Sequence, residues 1–406
     1  MRMNKKKKTE IRLRFPEFTD NKWIKTKLGN ISSIVKEKAG ENKYLLMSVT
    51  SGVGLVPQTE KFGREIAGDS YKNYTVIRRY DFAYNKSATK QFPEGFISML
   101  SDYDVAAVPN SIFICFRITD NECYPLFLNY LFYNNYHGKW LKRYIEVGAR
   151  AHGALSMDTE HLWDMPIDLP CLKEQQKIAN CIFSISKLID AESRKLRALK
   201  KYKKGLMQKL FPAEGMDVPE WRFPEFRDCG AWVECSVGDI LKPVTPPQKI
   251  VKSEYKVSGK YPIIDQSQEY ISGWTDDEAS VVFNDSPLIV FGDHTCVLKL
   301  VKQPFAQGAD GVKILSVDDK LDEEFVYYDL ESISIKADGY KRHYSILKKM
   351  SVKYSDKNSG EQQKIADCFS KIDSLIIAQS NKIKSLQTHR KGMMQGFFPF
   401  PEEAEL

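Results

Sequence analysis

The sequence predicts an α+β chain: two mixed α/β globules separated by two long antiparallel coiled-coil helices, related by a pseudo-twofold axis. Three observations predict it: a tandem repeat of two motifs, heptad spacing within one of them, and strand-and-turn texture between them. Arg14-Phe-Pro-Glu-Phe-Thr-Asp20 returns as Arg222-Phe-Pro-Glu-Phe-Arg-Asp228, each copy followed by a tryptophan (Trp23, Trp232) and a glycine (Gly29, Gly238). Glu174-Gln-Gln-Lys-Ile-Ala179 returns as Glu361-Gln-Gln-Lys-Ile-Ala366. That second match runs on to Phe211-Pro212 and Phe398-Pro399, with about half its positions identical.

In chain order, residues 1–13 form a basic tail whose Lys5 to Lys8 precede no apolar stretch, which suits a mobile solvated segment and not a secretory signal. Residues 14–173 form the first globule, with short runs such as Val108 to Phe116 and a helix around Leu126 to Tyr144. Residues 174–212 form the first long helix, with apolar Ile178, Ile182, Ile185, Ile189, Leu196, Leu199, Leu206 and Leu210 on one face. Residues 213–360 form the second globule, with an apolar run from Pro287 to Gly292. Residues 361–399 form the second helix, whose Ile365, Phe369, Ile372, Ile376, Ile383, Leu386, Met393 and Phe397 match the first seam position for position. Residues 400–406 are a short acidic tail.

Steps of four and three keep each seam on one face. The interruptions coincide too, at Glu192 and Gln379 and at Lys203 and Arg390. Ser359 with Gln362 suits a capping box at the second helix start, and each helix should be roughly 55 Å long. One seam alone would suit packing on its own globule. Two matched seams favour mutual pairing, each helix serving as a ruler.

Composition narrows the function. The net charge is +7, yet residues 1–173 carry 26 basic against 19 acidic side chains while residues 213–360 carry 18 against 25. A uniformly basic, nonspecific nucleic-acid binder is not what this describes. Eight cysteines without a Cys-x-x-Cys pair read as reduced cytoplasmic thiols, and scattered histidines give no metal site. No apolar run reaches the length of a membrane span.

Chemistry-bearing motifs are missing. Thr245-Pro-Pro-Gln248 lacks the amide and the aromatic of an adenine methyltransferase motif and reads as a loop. There is no phosphate loop. Gly52-Val-Gly54 reads as a turn, not a cofactor site, and Asp293-His294-Thr295 has no nucleophile motif beside it and reads as a structural or DNA-facing loop.

Globule, repeated helix, globule, repeated helix is a layout that resembles the specificity subunits of Type I restriction-modification enzymes over essentially the whole chain. The Glu-Gln-Gln-Lys-Ile-Ala start at Glu174 and Glu361, the Lys-Lys-Gly-Leu-Met-Gln-Lys-Leu-Phe end at Phe211 and the Arg-Phe-Pro-Glu-Phe opening carry the resemblance. So do segments typical of target recognition domains: Ser48 to Pro57, Phe82 to Lys90 and Gly148 to Gly153 in the first globule, and Pro262 to Gln266, Phe291 to Thr295 and Gly308 to Lys313 in the second.

The resemblance implies a non-catalytic subunit whose two recognition domains each read half of a bipartite site in double-stranded DNA, with the helices fixing the spacer. It implies two modification (methyltransferase) subunits and restriction (translocase/nuclease) subunits as partners. S-adenosylmethionine, ATP and Mg belong to those partners, and this chain carries no cofactor of its own. Self-association of the lone chain is left open.

On this reading Lys and Arg supply phosphate contacts, while Asn, Gln, Arg, Lys and Thr reach base edges. The candidates are Asn85, Lys86, Ser87, Lys90, Arg150 and His152 in the first globule, and Gln266, Ser267, His294, Thr295, Lys313, Tyr340, Lys341 and Arg342 in the second. Asn85 equally suits holding its own turn. Rival readings are a free-standing DNA-binding regulator, an autonomous nuclease or methyltransferase, and a coiled-coil assembly scaffold.

Overall fold

The two repeated motifs fold onto each other. In the computed structural model, which describes residues 12–145, 155, 157–308, 310–333 and 342–398, the Arg14 guanidinium donates to both oxygens of Glu174 at 2.8 and 2.9 Å. Arg222 does the same to Glu361 at 2.7 Å each. Both carboxylates are fully buried. The next residue of each helix motif has an equally fixed task. Gln175 accepts from the Tyr124 backbone N–H and donates to the Glu122 and Pro170 carbonyls. Gln362 accepts from the Asp322 N–H and donates to the Ser355 carbonyl. Committed in this way, Gln362 forms no capping box with Ser359, and Ser359 alone accepts from the Glu361 N–H.

The chain divides into two compact units, residues 1–191 with 383–406, and residues 192–382. Unit 1 begins with β1 (Ile24–Lys27), α1 (Leu28–Ile31), β2 (Ser32–Ile34), β3 (Met47–Thr50), β4 (Gly54–Pro57) and α2 (Gln58–Phe62). It continues with β5 (Thr75–Arg78), β6 (Phe82–Asn85), β7 (Phe96–Met99), β8 (Val105–Val108) and β9 (Phe113–Ile118). Then come α3 (Pro125–Tyr133), α4 (Tyr136–Leu141), α5 (Glu160–Trp163), β10 (Pro166–Leu169) and the long α6 (Leu172–Leu210). The single helix expected around Leu126 to Tyr144 is thus two, broken where Asn135 takes a left-handed φ of 59°.

Unit 2 runs through β11 (Val233–Ser236), α7 (Val237–Ile240), β12 (Leu241–Val244), β13 (Lys249–Ile250), β14 (Tyr261–Ile264) and β15 (Gly273–Thr275). Next are β16 (Val281–Val282), β17 (Leu288–Gly292), β18 (Leu298–Val301), β19 (Phe305–Gly308) and β20 (Val312–Val317). It closes with α8 (Glu323–Ser332), α9 (Tyr344–Leu347), β21 (Ser351–Tyr354) and the long α10 (Glu361–Phe397).

The globules looked unrelated in sequence beyond their openings, yet their sheets have one topology. Unit 1 orders an antiparallel sheet β2-β9-β6-β7, and unit 2 orders β12-β20-β17-β18 with the same directions. The flanking pairs β1–β10 and β11–β21 also correspond. Successive residues on the inner strands enter different cores, so both faces are buried and the strands read as unbroken apolar runs. Phe82 and Tyr84 pack toward the helices and Ala83 toward the opposite core; Ile289 and Phe291 do so opposite Val290.

Every seam residue is buried or half-buried. Within unit 1, Arg390 of α10 donates to Ser186 of α6. Within unit 2, Lys203 bridges to Asp373 and Glu331, and Gln379 donates to the Glu192 carbonyl and carboxylate. The pairs 192–379 and 203–373 run in opposite senses along the two helices, which makes the packing antiparallel in unit 2. The shared interruptions of the seam are therefore its polar cross-links.

Candidate nucleic-acid interface

The candidate segments selected in each globule occupy the same place in the shared sheet. Strand β6 pairs with β9 so that Asn85 lies opposite Phe113, and β17 pairs with β20 so that Gly292 lies opposite Val312. One residue on, the Lys86 N–H donates to the Ile112 carbonyl at 3.2 Å and the Asp293 N–H to the Gly311 carbonyl at 2.7 Å. The carbonyls of those residues then accept from Leu155 at 2.8 Å and from His343 at 2.8 Å. Two unlike sequences thus build one device, a strand-end loop tied to the segment ahead of a short helix.

In unit 1, Asn85 is buried and its side-chain oxygen accepts from the Ser87 N–H at 3.0 Å, so it holds its own turn. Lys86 and Ser87 beside it are half-exposed and Lys90 is exposed. Arg150 and His152 lie outside the described residues.

Unit 2 gathers its candidates from three segments. The Thr295 hydroxyl donates to the Gln266 carbonyl at 2.7 Å. The Gln266 amide accepts from the His294 N–H at 3.3 Å and donates to the Asp310 carbonyl at 3.1 Å. Gln266 and Thr295 therefore tie the loop together. Asp293 is likewise occupied, since its carboxylate accepts from the Tyr344 N–H at 2.8 Å at the start of α9. The Ser267 N–H donates to Asp265, and the Ser267 and Ser272 hydroxyls lie 2.9 Å apart. Lys313 is half-exposed with its ammonium 5.6 Å from the Tyr344 ring centre, and Arg342 is exposed. Tyr340 and Lys341 lie outside the described residues.

Two supports were not singled out in the sequence. Gly311, at φ +81°, leaves room for Gln266: an added Cβ would sit 2.8 Å from the Gln266 side-chain nitrogen and from His294. Lys299 is 4% exposed, and its ammonium donates to the carbonyls of Asp265 and Glu269, holding the loop that carries Gln266 and Ser267. Burial lowers its pKa, opposed by Asp265 and Glu269. The sequence signal for it was a lysine amid the apolar strand Leu298 to Val301. Among the described residues no cluster of His, Cys, Asp or Glu suits a metal ion, and no helix is long and apolar enough to cross a membrane.

Two like-folded units built on two repeated helices define the fold of Type I restriction-modification specificity subunits. The crystal structure of the S subunit from M. genitalium aligns at TM-score 0.62 and 14% identity, over 94% of this chain and 97% of that one. A structure from a study of complex assembly and conformational transition of the type I R-M system aligns at TM-score 0.52 and 14% identity, over 93% and 98%. In sequence, the chain is 26% identical over 301 residues to the MjaX type I restriction enzyme specificity subunit of Methanocaldococcus jannaschii, 68% of each chain. No family model matches. The chain is thus similar in sequence to a Type I specificity subunit and has the fold of such subunits.

Proposed function

We propose that this chain is the DNA sequence-recognition subunit of a Type I restriction-modification complex, each unit reading one half of a bipartite double-stranded site. The observation that carries this is the recurrence of the strand-end loop at one topological position in both units, with unlike side chains on a common frame. A common frame gives both halves one mode of docking; unlike side chains give each its own sequence. Ser87, Lys86 and Lys90 in unit 1, and Ser267, His294, Lys313 and Arg342 in unit 2, are the described side chains that this reading assigns to DNA contact. Asn85, Gln266 and Thr295 shape the loops that present them.

The helices α6 and α10, 39 and 37 residues long, serve as the ruler between the half-sites and as the platform for two modification subunits, which restriction subunits join. The chain is non-catalytic. S-adenosylmethionine, ATP and Mg act in the partner subunits.

The test is methylome sequencing of a host expressing this chain with its modification subunit. A split motif with methyladenine in both halves, lost when this chain is deleted, is the expected result. A stable complex that adds no new methylation contradicts the reading. Lengthening both helices by about one heptad, roughly 10 Å, should change the spacer while leaving the half-sites alone.

A further inference from the structure

The correspondence between the units extends past the central sheet to the Gly52-Val-Gly54 turn of unit 1, which lies within the Ser48 to Pro57 segment. Strand β14 runs parallel to β19, pairing Ile263 with Ala306 and Ile264 with Gln307. In unit 1, Leu46, just ahead of β3, makes a parallel bridge to Ala107 of β8. Antiparallel partners match as well, β5 on β8 and β16 on β19. Each of β3 and β14 then turns back into an antiparallel neighbour, β4 or β15. The loop leaving β14 is the one that carries Gln266 and Ser267. Its counterpart is the β3–β4 turn, Ser51 to Val53.

Both connections rest on the strand-end loop. In unit 2 the contact is Gln266 with His294 and Thr295. In unit 1 it is Gly52 against Phe92: a Cβ added there would lie 3.2 Å from the Phe92 ring and 3.9 Å from the Gln91 amide oxygen. The turn is fixed on several sides. The Tyr133 hydroxyl donates to the Gly52 carbonyl at 3.3 Å, the Val53 N–H donates to the Thr50 carbonyl at 3.0 Å, and the Leu55 N–H donates to Ser98 at 3.1 Å. On this rigid tip Val53 is 70% exposed. Turn tips favour Gly, Asn, Asp and Ser, and no described residue of unit 1 covers this valine.

We propose that the Ser51–Val53 turn is a DNA-reading element of unit 1, with Val53 making apolar contact with a base edge, the thymine methyl being the group that offers such contact in the major groove. This rests on the reading of the chain as a DNA-recognition subunit. A rigid apolar tip suits that role because it loses little side-chain freedom on binding.

The experiment uses the complex of the full chain with its modification subunit, carrying Val53→Asn or Val53→Ala, with methylome sequencing and binding to duplexes in which one half-site at a time is altered. Val53→Asn should relax one base position in the half-site read by unit 1 and weaken binding to the intact site by roughly ten-fold. Val53→Ala should fall between it and wild type, and the other half-site should be unaffected. Unchanged motif and affinity in Val53→Asn, or equal losses at both half-sites, overturn this inference while leaving the parent reading in place. A wild-type complex that methylates no split site overturns the parent reading, and this inference with it.

Discussion

The two units share a frame and differ in what they hang on it. Their sheets have one strand order, and each ties its opening arginine to the first carboxylate of a long helix. Each also packs a tryptophan against a corresponding short helix, Trp23 with Phe127 of α3 and Trp232 with Phe325 of α8. Between these fixed points the loops proposed to read DNA differ in length and chemistry. Unit 1 uses a three-residue turn with an exposed valine, whereas unit 2 uses a longer loop braced by Gln266 and the buried Lys299. The frame therefore carries the stability and the loops are free to vary. On the proposed reading the excess of acidic side chains over residues 213–360 is compatible with DNA binding, since basic groups such as Lys313 and Arg342 need only lie at the loop end of the sheet.

The largest test of this separation is exchange. Replacing residues 21–173 with the corresponding segment of another specificity subunit should substitute one half-site outright and leave the other half and the spacer unchanged by methylome sequencing. Coupled changes in both halves would break the comparison, because the units would not be reading independently.

Next comes the frame itself. Arg222→Ala strands a buried carboxylate and should lower the stability of unit 2 by about 3–5 kcal/mol in urea unfolding. Arg14→Ala should cost unit 1 less, because the Arg14 side chain is 17% exposed against 8% for Arg222. The Trp232 indole N–H also donates to Glu361, whereas the Trp23 indole N–H finds no partner among the described residues. Unit 2 thus loses a member of a three-part network. Equal costs would show that burial does not grade the two locks.

A smaller effect should follow from Gly311→Ala. A Cβ at positive φ costs about 1–2 kcal/mol, and here it also presses on Gln266 and His294. Affinity for the half-site read by unit 2 should fall about ten-fold, with the other half-site untouched. A uniform loss across both half-sites would place the effect in folding and not in loop shape.

The frame was legible in the sequence and much of the reading surface was not, for a physical reason. Heptad spacing shows directly in the identities of Ile178, Ile182 and their partners, because one helix face must stay apolar over ten turns. The Arg-Phe-Pro-Glu-Phe and Glu-Gln-Gln motifs recur because each supplies half of one buried contact, although only the structure shows that the halves meet. The common sheet left no such trace. Its strands are buried on both faces, so any apolar residue of suitable size serves, and Phe82-Ala-Tyr can stand where the other unit has Ile289-Val-Phe. In the loops the sequence leaves two roles unseparated, because polar side chains that suit base edges also suit turns. Asn85, Gln266 and Thr295 are engaged within their own loops, while Val53, apolar and inconspicuous in sequence, projects from one.

The mildest effect concerns a single exchange inside the frame. Gln175 and Gln362 each accept from the residue ahead of α3 or α8, Tyr124 or Asp322, which aligns the two helices and places Asp329 where unit 1 has Leu131. Both side chains are buried, at 5% and 2% exposure. Burial raises the Asp329 pKa to about 8, against smaller opposing contributions from Ser332 and the Lys353 backbone. The folded protein therefore holds the proton that the unfolded chain has already lost above the ordinary carboxylate range. This group favours folding most below pH 4, and that advantage is lost as pH rises toward 8. Asp329→Asn, which keeps the hydrogen bonding but cannot ionise, should leave stability near pH 4 little changed. At pH 8–9 it should stabilise unit 2 by about 1–3 kcal/mol. Leu131→Asn in unit 1 should only destabilise, at every pH. If the gain from Asp329→Asn is the same at pH 4 and pH 9, the buried carboxyl is not what sets the pH response of unit 2, and the difference between the two helices is one of packing alone.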